Sequence, residues 1–228
     1  MQVRKHPPVP GTRACPDVDA LGMRDVLTRV VTLNSELAAF WKNAKGWTPK
    51  KADRVLSGAR LDWQIELSRT LRLWLRKPAP DEVHATLILG WTNLGALVEG
   101  SLKLYLAVWA DAYARSPHAI PKQRGKPSTK AVSHLMAGEL LDFMKAMGLL
   151  KPWHDWLTDV LARRNAIHSF RERALGDRTE FQQYVRAYLD LLRTINDHLP
   201  YPEGGAPAEA KWRFEPRSRP PRSRHHTK

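Results

Sequence analysis

One stretch, Asp81 to Ala114, dictates what the rest of the chain must do. Leu87, Trp91, Leu94, Val98, Tyr105 and Trp109 recur at helical spacing, and the opposite side is also largely apolar as far as Val98. A helix that is apolar nearly all round must be enclosed, by other helices or by lipid. The uncharged run from Ala85 to Val98 falls short of the roughly 20 residues that a bilayer demands, and Glu99 and Lys103 follow it. The expectation is therefore a central helix inside a soluble bundle. Gly90, Gly95 and Gly100 lie within it. Each costs helix stability of about 1 kcal/mol against alanine, so each should mark a place where a neighbouring helix comes close.

The remaining periodic segments supply those neighbours. Asp17 can cap a first helix to about Asn43, with Val26, Val30, Leu33, Leu37 and Phe40 as its apolar stripe. Thr48-Pro49 opens a second, to about Arg76, bending at Ser57-Gly58, with Leu56, Trp63, Leu67, Leu71 and Trp74 inward. Ser128 or Thr129 begins a fourth, to about Met147, with Val132, Leu135, Met136, Leu140, Phe143 and Met144 inward. Pro152 opens a fifth that continues to Phe170, and Asp177-Arg178-Thr179-Glu180 caps a last one to about Leu199. No segment alternates as a strand does. The predicted fold class is all-α, a helical bundle of about six helices. It occupies residues 17–202 as a single domain, between a disordered segment at 1–16 and a basic disordered tail at 203–228.

Lys and Arg number 37 against 23 Asp and Glu, a formal net charge of +14 at pH 7. Such an excess favours a polyanionic partner, nucleic acid before an anionic membrane. Much of it lies on segments expected to be loops or tail, Arg115 to Lys130 and Gly204 to Lys228. The single cysteine, Cys15, excludes an internal disulfide and suits a reducing compartment. The start of the chain is polar and proline-rich, without the apolar core of a signal peptide. A cytoplasmic protein with no membrane segment is expected. The nine histidines are scattered, so neither a metal site nor a cofactor is expected.

The chemistry-bearing stretch is Leu161-Ala162-Arg163-Arg164-Asn165-Ala166-Ile167-His168-Ser169-Phe170. Projected as a helix from Trp153, it puts Leu157, Val160, Leu161 and Ile167 on one side with Arg164 near the middle of that sector. His168 lies one turn further along, Asn165 falls at the rim, and Arg163 falls at the opposite rim beside Trp156. Buried charge must be paired. One outcome is an internal network in which Arg164 pairs with Glu99 and His168 bonds a backbone carbonyl. The other is a working site. Glu99 likewise has two roles open to it: an i,i+4 pair with Lys103, or the orientation of Arg164 or Arg163.

Arg-Asn-x-x-His, overlapping Arg-x4-His from Arg163, resembles the signature of the HEPN superfamily, small all-helical and usually dimeric proteins, many of them metal-independent ribonucleases. Gly90 to Lys103 resembles the long helix that carries an acidic residue packed near that motif, and the likeness spans roughly Pro80 to Pro202. It implies RNA as the substrate and a homodimer that brings two motifs together, with His168 and its twin sharing the acid and base roles. Such cleavage needs a base for the 2′-OH, an acid for the leaving 5′-oxygen and cations for the phosphorane. Histidine titrates in the right range, and arginine forks onto phosphate. Asn165 and Ser169 would orient substrate or histidine. The commonest family spacing selects Arg163 as the motif arginine, whereas the Arg-Asn pairing and the helical projection select Arg164. Many family members act as toxins beside an antitoxin of nucleotidyltransferase type, and others bind RNA or protein without cutting. Both outcomes are carried forward.

Overall fold

The computed structural model describes residues 17–44, 48, 50–122, 128–168 and 172–201. Among these the chain is all-helical. The helices are α1 (Met23–Lys42), α2 (Lys50–Ser57), α3 (Leu61–Trp74), α4 (Val83–Val108), α5 (Ala110–Arg115), α6 (Ala137–Ala146), α7 (His154–Arg164) and α8 (Arg178–Asp197). The only extended pairing among them is an antiparallel bridge between Pro121 and Thr129. No described helix is long and apolar enough to cross a membrane. The segment 1–16 and the tail at 203–228 lie outside the described residues.

As its composition demands, α4 is the hub. It packs against α2, α3, α6, α7 and α8, and Trp91, Leu94, Leu97, Val98 and Leu102 along it are fully buried. A leucine so enclosed contributes about 2 kcal/mol by the transfer of its apolar surface. The three glycines admit the neighbours. A Cβ at Gly90 would lie 2.9 Å from Phe181 Cζ of α8 and 3.2 Å from Trp74 Cβ of α3. At Gly100 it would run into Gln64 of α3, and at Gly95 into Arg164 of α7.

A second layer is closed by α1, which packs on α3 and α8 through the buried stripe Val26, Val30, Leu33 and Leu37. Its end is fastened to the end of α8. Trp41 Nε1 donates to the Tyr201 hydroxyl at 3.2 Å, Tyr201 donates to Asn196 Oδ1 at 2.6 Å, and its ring meets Phe40 at 4.8 Å. A buried polar cluster joins α3, α4 and α8. Gln64 Nε2 donates to the Leu97 carbonyl at 2.7 Å, and Ser101 Oγ lies 3.0 Å from the Tyr188 hydroxyl. Burial pushes that tyrosine up to about 12.

Several boundaries differ from expectation. The second expected helix is two, α2 and α3, and the third breaks at Trp109 into α4 and α5. Asp17 caps the short turn Val18–Ala20 by accepting from Asp19 N–H, and α1 starts later. The helix expected from Ser128 starts at Ala137, where Glu139 reaches back to the Met136 N–H at 2.9 Å. Met136 is therefore an extended residue ahead of the helix and is exposed, not inward. Trp63 is also outward, 54% exposed. The break after Ser57 restarts the helical phase, so α3 buries Leu61, Ser68 and Leu71 and turns Trp63 away.

Candidate functional site

The last turn of α7, lying against α4, carries the two arginines. They part company at once. Arg163 is buried, its side chain 9% exposed, with its guanidinium over the rings of Trp91 at 4.7 Å and Tyr184 at 5.0 Å. Its Nη2 donates to Glu180 Oε1 at 2.6 Å and lies 3.2 Å from Asp159 Oδ2. Its Nη1 donates to the Leu175 carbonyl at 3.3 Å, which Trp91 Nε1 also holds at 2.8 Å. Burial works to lower this arginine's pKa, but the Glu180 bond and the Asp159 and Glu180 charges outweigh it and raise it. Tyr184 donates to Asp159, and its hydroxyl pKa is raised, first by its burial and then by that carboxylate.

This network fixes the chain behind the motif. Gly176 turns with φ +67, Asp177 accepts the Glu180 N–H at 2.8 Å to start α8, and Glu180 returns to Arg163. Asp159 and Leu175 were not singled out from the sequence, and Glu180 and Tyr184 entered only as parts of the last helix, its cap and its apolar face. One signal was there: Asp159 stands four residues before Arg163, at ion-pair spacing on a helix.

Arg164 takes the other direction. A Cβ on Gly95 would lie 2.6 Å from Arg164 Cβ and 2.7 Å from its Cγ and Cδ, so the absence of a side chain there makes room for the arginine's stem. Its Nη1 sits 2.8 Å from Glu99 Oε2, while Lys103 Nζ holds the other carboxylate oxygen, Oε1, at 2.8 Å. Both roles considered for Glu99 are thus realised together, one oxygen each. The side chain of Arg164 is 32% exposed and that of Glu99 17%. The guanidinium stands at the surface on a partly buried acidic anchor.

Beyond Arg164 the helix stops, short of the expected Phe170. Asn165–Ile167 form a tighter turn, closed by His168 N–H to the Asn165 carbonyl at 3.2 Å. Asparagine and isoleucine are weaker helix formers than leucine or alanine. The change of phase removes Ile167 and His168 from the apolar sector. Asn165, Ile167 and His168 are all exposed, and the turn leans on α4. Trp153 and Trp156, at the start of α7, are buried. Ser169 lies outside the described residues. The structure thus pairs Arg164 with Glu99 of α4, leaves Asn165 and His168 exposed in the turn that follows α7, and buries Arg163. Among the described residues no group of three or more histidine, cysteine or carboxylate side chains has metal-binding geometry.

No family model matches the chain, and no curated protein or solved structure matches it either.

Proposed function

We propose that the chain is a HEPN-type, metal-independent endoribonuclease that works as a homodimer. The observation carrying this is the surface placement of Arg164, tethered to Glu99, beside an exposed turn that bears Asn165 and His168. Arg164 is the motif arginine in this proposal, because Arg163 is committed to two carboxylates and a carbonyl. An RNA phosphate is held by the Arg164 fork, whose remaining N–H groups are free of the Glu99 bond at Nη1. His168 and its counterpart take the 2′-OH proton and protonate the leaving 5′-oxygen. The net charge of +14 draws in the polyanion. A toxin held in check by an antitoxin of nucleotidyltransferase type fits such an enzyme.

A test uses structured and single-stranded RNA incubated with the full chain in EDTA. Cleavage should leave 2′,3′-cyclic or 3′-phosphate ends, and His168→Ala should abolish it with the fold intact. Equal cutting by that variant would sink the proposal. A second function, RNA binding without cutting, is favoured by the closed ion triad of Arg164, Glu99 and Lys103. It is the outcome if RNA is bound but never cut.

A further inference from the structure

Asn34 sits in the buried stripe of α1 between Leu33 and Leu37, and only 3% of it is exposed. An amide so enclosed has to satisfy an oxygen as well as a nitrogen. Its Nδ2 donates to the Val30 carbonyl at 3.0 Å and lies 3.5 Å from the Tyr188 hydroxyl. Gln64 on α3 repeats the pattern. Its Nε2 donates to the Leu97 carbonyl at 2.7 Å and lies 3.2 Å from Ser101 Oγ and 3.3 Å from the same tyrosine hydroxyl. Among the described residues no donor reaches Asn34 Oδ1 or Gln64 Oε1. Neither amide can exchange its ends, because each nitrogen faces a backbone carbonyl that an oxygen would repel.

The hydroxyls nearby have no hydrogen to spare. Ser101 Oγ donates to the Leu97 carbonyl at 2.8 Å, beside Gln64 Nε2. The Tyr188 hydrogen then falls to Ser101 Oγ at 3.0 Å. Asn34, Gln64 and Ser101 all line one cleft between α1, α3 and α4, of about 230 Å³ counting its open mouth. Leu37, Leu61 and Leu104 supply its apolar walls. Gly100 lines it too, and a side chain there would run into the Gln64 amide, so the glycine gives that amide its place.

The lining selects the occupant. Two acceptors without a donor call for a guest that donates twice. None of the described lining residues is charged, so a cation would lose its hydration there without a counter-charge. An apolar guest would leave both oxygens unpaired. Water donates twice, needs little room, and accepts in turn from further water at the mouth. We infer that this cleft is a site for ordered water, which donates to Asn34 Oδ1 and Gln64 Oε1 and ties α1 to α3 beside the Tyr188 cluster. Such a site does not depend on the RNA-cleaving function proposed above.

The test is cross-relaxation between water and side-chain amides, measured by NMR on the isotope-labelled full-length protein. Bound water should give peaks to the Asn34 and Gln64 amide hydrogens whose laboratory-frame and rotating-frame signs are opposite, the mark of water that tumbles with the protein. Resolved amides without such peaks overturn the site. Tyr188→Phe deletes the hydroxyl that both amides approach and should leave the peaks in place; their loss would trace them to that hydroxyl and overturn the site as well. Asn34→Leu removes one acceptor and should weaken the Gln64 peaks several-fold. Gln64 peaks at full strength in that variant would show that the two oxygens share no guest. Finally, ammonium chloride should raise the melting temperature no more than sodium chloride does. A larger rise would give the cleft to a cation in place of water.

Discussion

Arg163 and Arg164 are neighbours in the chain and opposites in the fold. The first is enclosed by two rings and two carboxylates and holds the carbonyl that returns the chain to α8. The second lies over a glycine, keeps one acidic tether and is about one-third exposed. Identical chemistry thus does two jobs, and burial decides which. A cation enclosed with its counterions is costly to remove, whereas a cation at the surface adds little stability and stays available to a ligand.

That contrast can be broken by mutation. Arg163→Ala should cost the most, about 3 kcal/mol in urea unfolding, because Glu180 and Asp159 lose their partner and a slot opens between Trp91 and Tyr184. A loss below about 1 kcal/mol would mean the inner network is not structural. Gly95→Ala comes next. Overpacking against the Arg164 stem costs about 1–3 kcal/mol, and the better helix former returns about 1. A net gain in thermal stability would show that the stem moves aside freely. Glu99→Gln should change stability by less than about 1 kcal/mol, since the pair is partly exposed, yet under the ribonuclease function proposed above it should slow RNA cutting several-fold as Arg164 loses its tether. Lys103→Ala, the control on the same carboxylate, should slow cutting less. His168→Ala should shift stability by no more than about 0.5 kcal/mol while abolishing cleavage. If it proves as destabilising as Arg163→Ala, the two sides of the turn are not distinct.

The elements were largely legible in the chain because apolar spacing is a local signal. The all-round apolar character of Leu87 to Val98 predicts a hub, and the glycines predict close approach. The local stops at Gly148 and Gly176 are both positive-φ turns. Two kinds of information were not local. The end of α7 at Arg164 has no glycine or proline to mark it, and the Leu175 carbonyl that holds Arg163 carries no side-chain signature and is met only through tertiary contact. Projecting one unbroken helix therefore placed Ile167 and His168 on the wrong side. Trp63 was assigned inward for a related reason: a break after Ser57 resets the phase, and hydrophobicity alone cannot reveal it. The division of labour between the arginines was likewise hidden. Residue type is the same at both, and only Asp159, four residues earlier, hinted that one was already spoken for.

Tyr201 gives this architecture a late closure. Its hydrogen-bonding partner Trp41 lies 160 positions earlier, so a chain emerging from the ribosome makes all the residues between them before that contact can form. Contacts of such sequence separation form slowly and leave greasy surface open meanwhile. A version trimmed to remove the cationic tail keeps its seam shut only if the cut falls after Tyr201. One ending at Leu199 loses the Tyr201 contacts to Phe40 and Trp41 at the end of α1.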